Sequence, residues 1–418
     1  MVFGLPQPSV IGQIIWMLLF FALIGLYPKY LLFKMIAEME AVVDTLAGYT
    51  KKSAGLVKKV AKKKGGATKD PMPQINRVTE FFLIPPVNLD PYGILKKIEY
   101  TIDRAEDRFD AVAADISPGA DPVWRANINS LLKGTVGLNM LTKMLRHYVE
   151  FTKKTGNFQI AMLFHMNLKL IKQIADAQME GVQAISKGRP IGDGIGPLVA
   201  ASLITSGKVE PAAKDVVVGK TEIGNRRVYV LKADGPGATL GKIGDAVKKI
   251  AVHGQVKKII TVDASLKLEG EESGAVAEGI GAAIGDPGPE KSKIEEAALE
   301  LDIPLEAIVV KMSVEEAISP LTRNITAAVK TVIPLIEESV GRVGAKDSVM
   351  VVGVGNTCGV GNTLDAVSTL KFPKAKKEEE ELSRLDRLIK KLATPPPPPE
   401  PVKKKKAKPK KTEDKKKK

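Results

Sequence analysis

The sequence predicts an α/β protein in which a three-layer, mostly parallel sheet domain follows one transmembrane helix and an α-helical domain. Three features of the 418-residue chain predict this architecture. A charge-free apolar run covers Val10–Tyr27, apolar residues recur at helical spacing over 90–186, and β-branched runs alternate with helical stretches after Pro190. The expected domains are an anchor over 1–34, an amphipathic helix and basic linker over 35–75, an α-helical domain over 76–187, an α/β domain over 188–370 and a disordered Lys/Pro-rich tail over 371–418.

The apolar run at Val10–Tyr27 has the length of a membrane span, because 18 helical residues cover about 27 Å. A secretory signal peptide would need a basic start and a small-residue cleavage site, and neither is present. The first charged side chain is Lys29, and basic residues follow the run without preceding it. The positive-inside rule therefore predicts a single-pass protein of the cell membrane with the bulk of the chain in the cytoplasm. The alternative is a buried core helix.

The segment after the apolar run continues with helical spacing at Leu32, Met35, Met39, Val42 and Leu46. This pattern predicts an amphipathic helix whose apolar face could pair with a copy of itself, which makes a homo-oligomer one expected assembly. The eight lysines of residues 51–69 follow, without an acid. They suit either a segment near anionic headgroups or a solvated linker.

The middle of the chain predicts three long helices. The first carries apolar residues at helical spacing from Leu95 to Val112, and the second begins at Asp121-Pro122, an N-cap followed by proline. Gly156-Asn157 separates the second helix from a third that reaches about Ile185. We see no residues with evident chemistry in this region.

Strands of the α/β domain are predicted at β-branched runs separated by helical stretches and glycine loops. These runs are Arg227–Leu231, Lys258–Val262, Ala307–Lys311 and Val349–Val352. Alternation of strands and helices indicates a parallel sheet, and ligands of such sheets bind at the carboxyl ends of the strands.

Charge and cysteine content exclude two classes of protein. The net charge is +15, but residues 401–418 hold 11 lysines against two acids and residues 51–69 add eight lysines, so the remainder is about neutral. This distribution argues against a basic globular nucleic-acid domain and for basic segments at an anionic surface. A single cysteine, Cys358, excludes a disulfide framework and a CxxC site.

Acidic residues at predicted strand and loop ends are the candidates for chemistry. Asp193 lies between Gly192 and Gly194 before a helix, and Asp234 and Asp263 each follow a strand. Carboxylates that converge at one sheet edge can share a proton or hold a cation, and either arrangement activates water. The alternatives are a helix cap for Asp193, turn chemistry for Asp234 and a cap or loop hydrogen bond for Asp263.

The segment GDGIGPLVA, followed by a strand, a helix and IITVDAS, resembles the core of the spore germination protease and hydrogenase-maturation endopeptidase group. The resemblance covers about residues 188–312 and gives Asp193 the first acid position and Asp263 the second. The loop containing Asp286 corresponds to a similar glycine-rich loop of the germination-protease branch. Metal-binding members add a histidine, and no histidine follows Asp263 here, so the resemblance implies paired carboxylates without an assigned metal or cofactor.

The strand and glycine-asparagine turn that precede the first acid in that group are missing before Asp193. A segment of the same character, Val349–Thr357, ends the domain, and we therefore predict a circular permutation. It would place Gly355, Asn356 and Thr357 beside Asp193. The alternative is a glycine loop that caps the final strand. The whole chain also resembles an uncharacterised archaeal membrane-protein family.

Three functional hypotheses follow, and whether the protein is an enzyme stays open. The first is a membrane-anchored, peptidase-like hydrolase with catalytic Asp193 and Asp263. A peptide substrate would be bound by the residues Gly192, Gly194, Asp234, Asp286, Gly355, Asn356 and Thr357. The second is a non-catalytic membrane-tethered binding or scaffold protein whose Lys-rich tail contacts RNA, ribosomes or anionic lipid. The third and weakest is nucleotide binding.

Overall fold

The fold was examined in a computed structural model that describes residues 10–86, 93–284 and 288–375. In the N-terminal half the helices are α1 (Val10–Gly65), α2 (Met72–Thr79), α3 (Ile94–Ile116), α4 (Pro122–Thr155) and α5 (Phe158–Ile185). The predicted tail from 376 onward lies outside the described residues.

Helix α1 is continuous over 56 residues and changes character along its length. Its first part is long and apolar enough to cross a membrane, and none of its apolar window is buried against the protein. From Met35 onward one face is buried: Met39 and Val43 pack with Leu145, Val149 and Leu168 of α4 and α5. The face expected to pair with a second copy is therefore largely covered by the chain's own helices.

The lysine run, for which a solvated linker was one of two interpretations, is helical over Lys51–Lys64 as part of α1. Apolar residues at helical spacing, including Val57 and Ala61, are fully buried there against α4 and its neighbours. Ser53 also forms a buried hydroxyl–hydroxyl hydrogen bond of 2.6 Å with Thr135 of α4. The lysines occupy the other side of the helix, so charge and burial are compatible on one element.

The ends of α4 and α5 are as the sequence predicts. Asp121 caps α4 by accepting a hydrogen bond from the Trp124 amide at 2.8 Å, and Gly156 ends it in the left-handed conformation at φ +63°. Asn157 then caps α5 through the Ile160 amide at 3.1 Å. These local signals suffice because each satisfies backbone groups that a helix end leaves unpaired.

The C-terminal half begins with a 3₁₀ turn at Gly192–Gly194 and helix α6 (Ile195–Leu203). Its described strands are β1 (Val209–Ala213), β2 (Val216–Ile223), β3 (Arg226–Ala233), β4 (Val256–Leu266), β5 (Val276–Ile280), β6 (Leu305–Met312) and β7 (Ser348–Gly353). The helices among and after them are α7 (Ile243–His253), α8 (Pro289–Glu300), α9 (Val314–Ile318), α10 (Arg323–Ala327), α11 (Val329–Gly341) and α12 (Leu364–Ser368).

The described strands form a seven-stranded sheet in the order β1-β2-β3-β7-β4-β6-β5. Strands β3, β7, β4 and β6 are parallel neighbours, whereas β2 is antiparallel to β1 and β3, and β5 is antiparallel to β6. The four strands predicted from β-branched runs are the parallel centre. Strands β1, β2 and β5 were not predicted, because they are polar or half-exposed and give a weaker pattern.

Strand β7 lies at the centre of the sheet, and all six of its residues are buried. Val349 and Val351 pack in a cluster with α6 and α11, while Met350 and Val352 pack in a cluster with α7 and α8. A strand apolar on both faces belongs in the interior of a sheet. The last of the described strands is thus inserted between β3 and β4, which come earlier in the sequence.

Candidate functional site

The candidate site lies at the carboxyl ends of β3, β7 and β4, which are adjacent in the sheet. Asp234 follows β3, Asn356 follows β7, and Asp263 lies in β4 one residue beyond Val262, which is paired with Gly353 at the end of β7. Because these strands are parallel, their ends share one edge, as the sequence analysis expects. Asp286 lies outside the described residues.

The turn that carries Asp193 meets the loop after β7. The backbone N–H of Asn356 donates a hydrogen bond to the Asp193 carboxylate at 2.8 Å. Gly355 makes this approach feasible: its φ is +129°, and a Cβ there would lie 1.9 Å from the Asp193 carbonyl oxygen. The expected placement of Asn356 beside Asp193 is confirmed.

The helix-cap alternative for Asp193 is wrong. Helix α6 has Gly194 at its N-cap position and no side-chain capping hydrogen bond. The Asp193 carboxylate reaches instead to a segment 163 positions away in sequence. It is therefore part of a tertiary contact between two loops at the sheet edge.

Burial of the Asp193 carboxyl group raises its pKa, because the charged form loses water. The hydrogen bond from the Asn356 N–H acts in the opposite direction, and desolvation is the larger effect. A carboxyl group with this balance can keep a proton at higher pH than an exposed aspartate does. Such a group is suited to general acid or base chemistry.

Asp263 is almost fully buried, and its carboxylate accepts a hydrogen bond from the Ala264 N–H at 2.7 Å. Side chains alternate along β4: Val262 packs in the cluster of α6, while Thr261 accepts a hydrogen bond from the Ala283 N–H ahead of α8. Asp263 therefore points to the side of Thr261, whereas the turn carrying Asp193 precedes α6. The segments that carry Asp193 and Asp263 reach the same edge of the sheet. Their side chains approach that edge from different faces of the sheet.

Asp234 is exposed and accepts a hydrogen bond from the side chain of Asn362 at 2.7 Å. Asn362 in turn accepts hydrogen bonds from Lys232 Nζ at 2.7 Å and from the Gly235 N–H at 2.9 Å. Asp234 thus belongs to a network that ties the loop after β3 to the loop after β7. This is close to the turn role that the sequence analysis left open for it.

Lys232 is a charged residue of this edge that sequence reasoning missed. It is fully buried, and its Nζ also donates to the Ala233 carbonyl at 2.7 Å. Desolvation lowers the pKa of Lys232 to about 7, against the opposing attraction of Asp234. The sequence signal for its burial was a lysine that follows the apolar residues of β3 and directly precedes Ala233-Asp234.

Thr357 is buried, and its hydroxyl is occupied by main-chain contacts. It lies 2.7 Å from the Gly237 carbonyl oxygen and 3.1 Å from the carbonyl oxygens of Asp234 and Thr239. Its side chain fixes the loop after β3, so contact with a substrate backbone would have to come from its neighbours. Gly192 is packed equally closely, because a Cβ there would lie 2.0 Å from the Glu316 carbonyl oxygen.

Metal-binding geometry occurs elsewhere. Among the described residues, the acids close enough together to bind one ion are Glu99, Asp245 and Glu290. Lys293 lies within this group, 2.5 Å from Glu99 and 2.7 Å from Asp245, so the cluster is an ion-pair network between α3, α7 and α8. Neither Asp193 nor Asp263 belongs to such a group in the described part of the chain.

The fold and site together define an α/β protein with buried ionisable groups at the carboxyl edge of a mostly parallel sheet, joined to a helix long enough to cross a membrane. Two family models match the chain: "Protein of unknown function (DUF1512) N-terminal domain" over residues 13–188 and "Domain of unknown function (DUF1512) C-terminal" over residues 191–361. Together they cover most of the sequence, and the chain belongs to the DUF1512 family. No curated protein and no solved structure matches it.

Proposed function

We propose that the protein is a membrane-anchored, cytoplasm-facing hydrolase whose three-layer α/β domain cleaves peptide bonds with the carboxyl groups of Asp193 and Asp263. The observation that carries the proposal is the desolvated Asp193 carboxyl group, held by the Asn356 N–H at the carboxyl edge of the central strand. Desolvated ionisable groups at such an edge are characteristic of catalytic sites.

The proposed reaction divides acid and base roles between the two carboxyl groups. Asp263, as carboxylate, takes a proton from water while the water oxygen attacks the carbonyl carbon of the substrate. Asp193, whose pKa is raised, donates its proton to the leaving nitrogen as the carbon–nitrogen bond breaks. Because their side chains approach the edge from different faces, the substrate carbonyl would lie between them.

The anchoring part of the proposal rests on helix α1. Its apolar window is fully exposed in the chain, and exposure of such a stretch to water would be unfavourable by about 25 cal/mol per Å². Insertion into a bilayer removes that cost. Lysines follow the apolar run, and by the positive-inside rule they favour an α/β domain on the cytoplasmic side.

The proposal is tested with the full-length protein in detergent and a fluorescence-quenched peptide library as substrate. We expect Asp193→Asn and Asp263→Asn each to reduce turnover by about 10²-fold or more, since each removes a proton-transfer group. The matched control is Asp115→Asn, an exposed acid of α3 outside the site, which should retain activity within a few-fold.

Thermal unfolding separates loss of chemistry from loss of fold. Asp193→Asn should unfold at the same or a higher temperature than the wild type, because a buried carboxyl group is replaced by a neutral amide that still accepts from Asn356. Wild-type turnover in both Asn variants would refute the assignment, as would a wild-type protein that cleaves no member of the library.

A further inference from the structure

Helix α5 exposes apolar side chains on the surface that does not face α1. The exposed fractions are 45% for Met162, 58% for Leu163, 73% for Met166 and 48% for Leu170. The opposite side of the helix, with Ala161 and Leu168, is buried. Large apolar side chains grouped on one exposed face of a helix mark a surface that contacts something other than water.

The register of α5 against α1 follows from two side-chain contacts. His165 lies beside Glu38, and the Tyr49 hydroxyl donates to the Asp176 carboxylate at 2.6 Å. Both pairs are 127 positions apart in sequence. The two helices therefore run parallel with a constant offset, so the N-terminus of α5 points toward the membrane-crossing part of α1.

This offset gives the position of each α5 residue along the axis of α1, and therefore its height above the membrane that α1 is proposed to cross. Tyr30 is the second of two tyrosines at the end of the apolar run, and tyrosines concentrate at the membrane–water interface. At about 1.5 Å per residue, Phe158 lies within about 2 Å of the height of Tyr30, Met162 about 8 Å beyond it and Leu170 about 20 Å beyond it. The headgroup layer is about 5–7 Å thick on each side, so the Phe158 backbone lies within it and the Met162 backbone lies just beyond it, with the layer in reach of the Met162 side chain.

We propose that the first two turns of α5, with Phe158, Met162 and Leu163, dock into the headgroup layer of the bilayer that α1 crosses. The inference rests on the proposed anchoring and adds a second point of contact with the same membrane. A helix anchored at one point can tilt freely, whereas two contacts fix the orientation of the helical domain over the bilayer.

Side-chain direction and charge support a lipid partner. The Cα–Cβ bonds of a helix tilt toward its N-terminus, so the α5 side chains lean toward the membrane. Lys29, Lys34 and Lys154 lie at the same end of the bundle, where they can contact lipid phosphates. A second copy of the chain would instead cover the whole apolar face, including Leu170.

The test measures lipid proximity along this face in the full-length protein, reconstituted in nanodiscs of phosphatidylcholine and phosphatidylglycerol. Single cysteines replace Met162, Met166, Leu170 or Phe20, each carrying an environment-sensitive fluorophore, and doxyl-labelled phosphatidylcholine serves as the quencher. The native Cys358 is fully buried and stays unlabelled. The substituted α5 positions are exposed, so folding is preserved.

We expect quenching at Phe20 and Met162, weaker quenching at Met166 and none at Leu170. Quenching at Phe20 with equal, unquenched signals at all three α5 positions would overturn this inference and leave the anchoring intact. Absence of quenching at Phe20 would reject the anchoring and this inference together. A fluorescence change at Leu170 equal to that at Met162, and unaffected by the quencher, would identify a protein partner and also overturn the proposal.

Discussion

Two asparagines of the loop after β7 contact two ionisable groups of the site, Asp193 and Lys232. The backbone of Asn356 donates to Asp193, and the side chain of Asn362 accepts from Lys232. In both cases burial shifts the pKa toward neutrality, upward for the aspartate and downward for the lysine. One loop thus contacts two groups with shifted pKa values that come from different elements.

Lys232→Met tests the burial effect on the lysine. The pKa of Lys232 falls from 10.5 to about 7 on folding, so between these values the unfolded chain binds more protons than the native state. Native stability should therefore rise with pH across this window, by at most about 1.4 kcal/mol per pH unit. Below the window the cost of the buried charge is fully present.

We expect Lys232→Met to lose this contribution to the pH dependence of the free energy of unfolding, measured by denaturant titration. The control is Lys220→Met, which replaces an exposed lysine of β2 and should keep the wild-type slope. Parallel slopes for the wild type and Lys232→Met would show that the lysine is charged throughout the window.

At the scale of elements, helix α6 is positioned by contact between backbones. A Cβ at Gly196 would lie 2.2 Å from the Val354 carbonyl oxygen and 2.4 Å from that of Val262. A Cβ at Gly353 would in turn lie 2.4 Å from the Gly196 carbonyl oxygen. The start of α6 therefore reaches the ends of β4 and β7 only because side chains are missing there, and this contact sets the position of Asp193.

Gly196→Ala should destabilise the protein by about 1–3 kcal/mol or more, because the clash with two backbone carbonyls cannot be relieved by a rotamer change. Alanine favours a helix over glycine by about 1 kcal/mol, so the clash has to outweigh that gain. Gly48→Ala is the control: it lies in α1 with open space around its Cβ position and should be neutral or stabilising. Equal stability of both variants, measured by denaturant unfolding, would contradict the close approach.

At the scale of the whole molecule, one helix has two environments. The first part of α1 is exposed and apolar, and the part after Met35 is a structural member of the helical domain. The apolar part and the domain are therefore joined by one continuous helix, which contains Pro28 between them. Helices α4 and α5 pack on the later part of the same helix.

Leu19→Arg tests the anchoring. A charge at the centre of a membrane span costs about 3 kcal/mol, so the variant should shift from the membrane to the soluble fraction on ultracentrifugation. Lys59→Glu, on the same helix but outside the apolar run, should stay with the membrane. Retention of Leu19→Arg in the carbonate-washed membrane pellet would show that α1 does not hold the protein there.

Much of the fold could be predicted from the sequence because the residues that determine helix ends and buried strands are close together along the chain. Asp121-Pro122 and Gly156-Asn157 satisfy helix ends within a few residues, and Val349–Val352 is apolar on both faces as a central strand must be. The edge strands β1 and β5, and β2 beside β1, were not predicted because half-exposed strands have no single apolar pattern. The burial of one face of the lysine-rich end of α1 was not predicted, because its composition also suits a linker. That burial depends on the surface of α4.

The sequence alone determined the apolar run, the long helices, the four parallel strands and the candidate acids, since each depends on composition or spacing along the chain. Tertiary structure decided that Asn356 meets Asp193, that Asp263 leaves β4 on the other face and that Lys232 is buried. These properties arise from parallel pairing between segments more than a hundred residues apart and from the loss of water on packing. Neither the pairing nor the loss of water can be inferred from the residues that flank a position in the sequence.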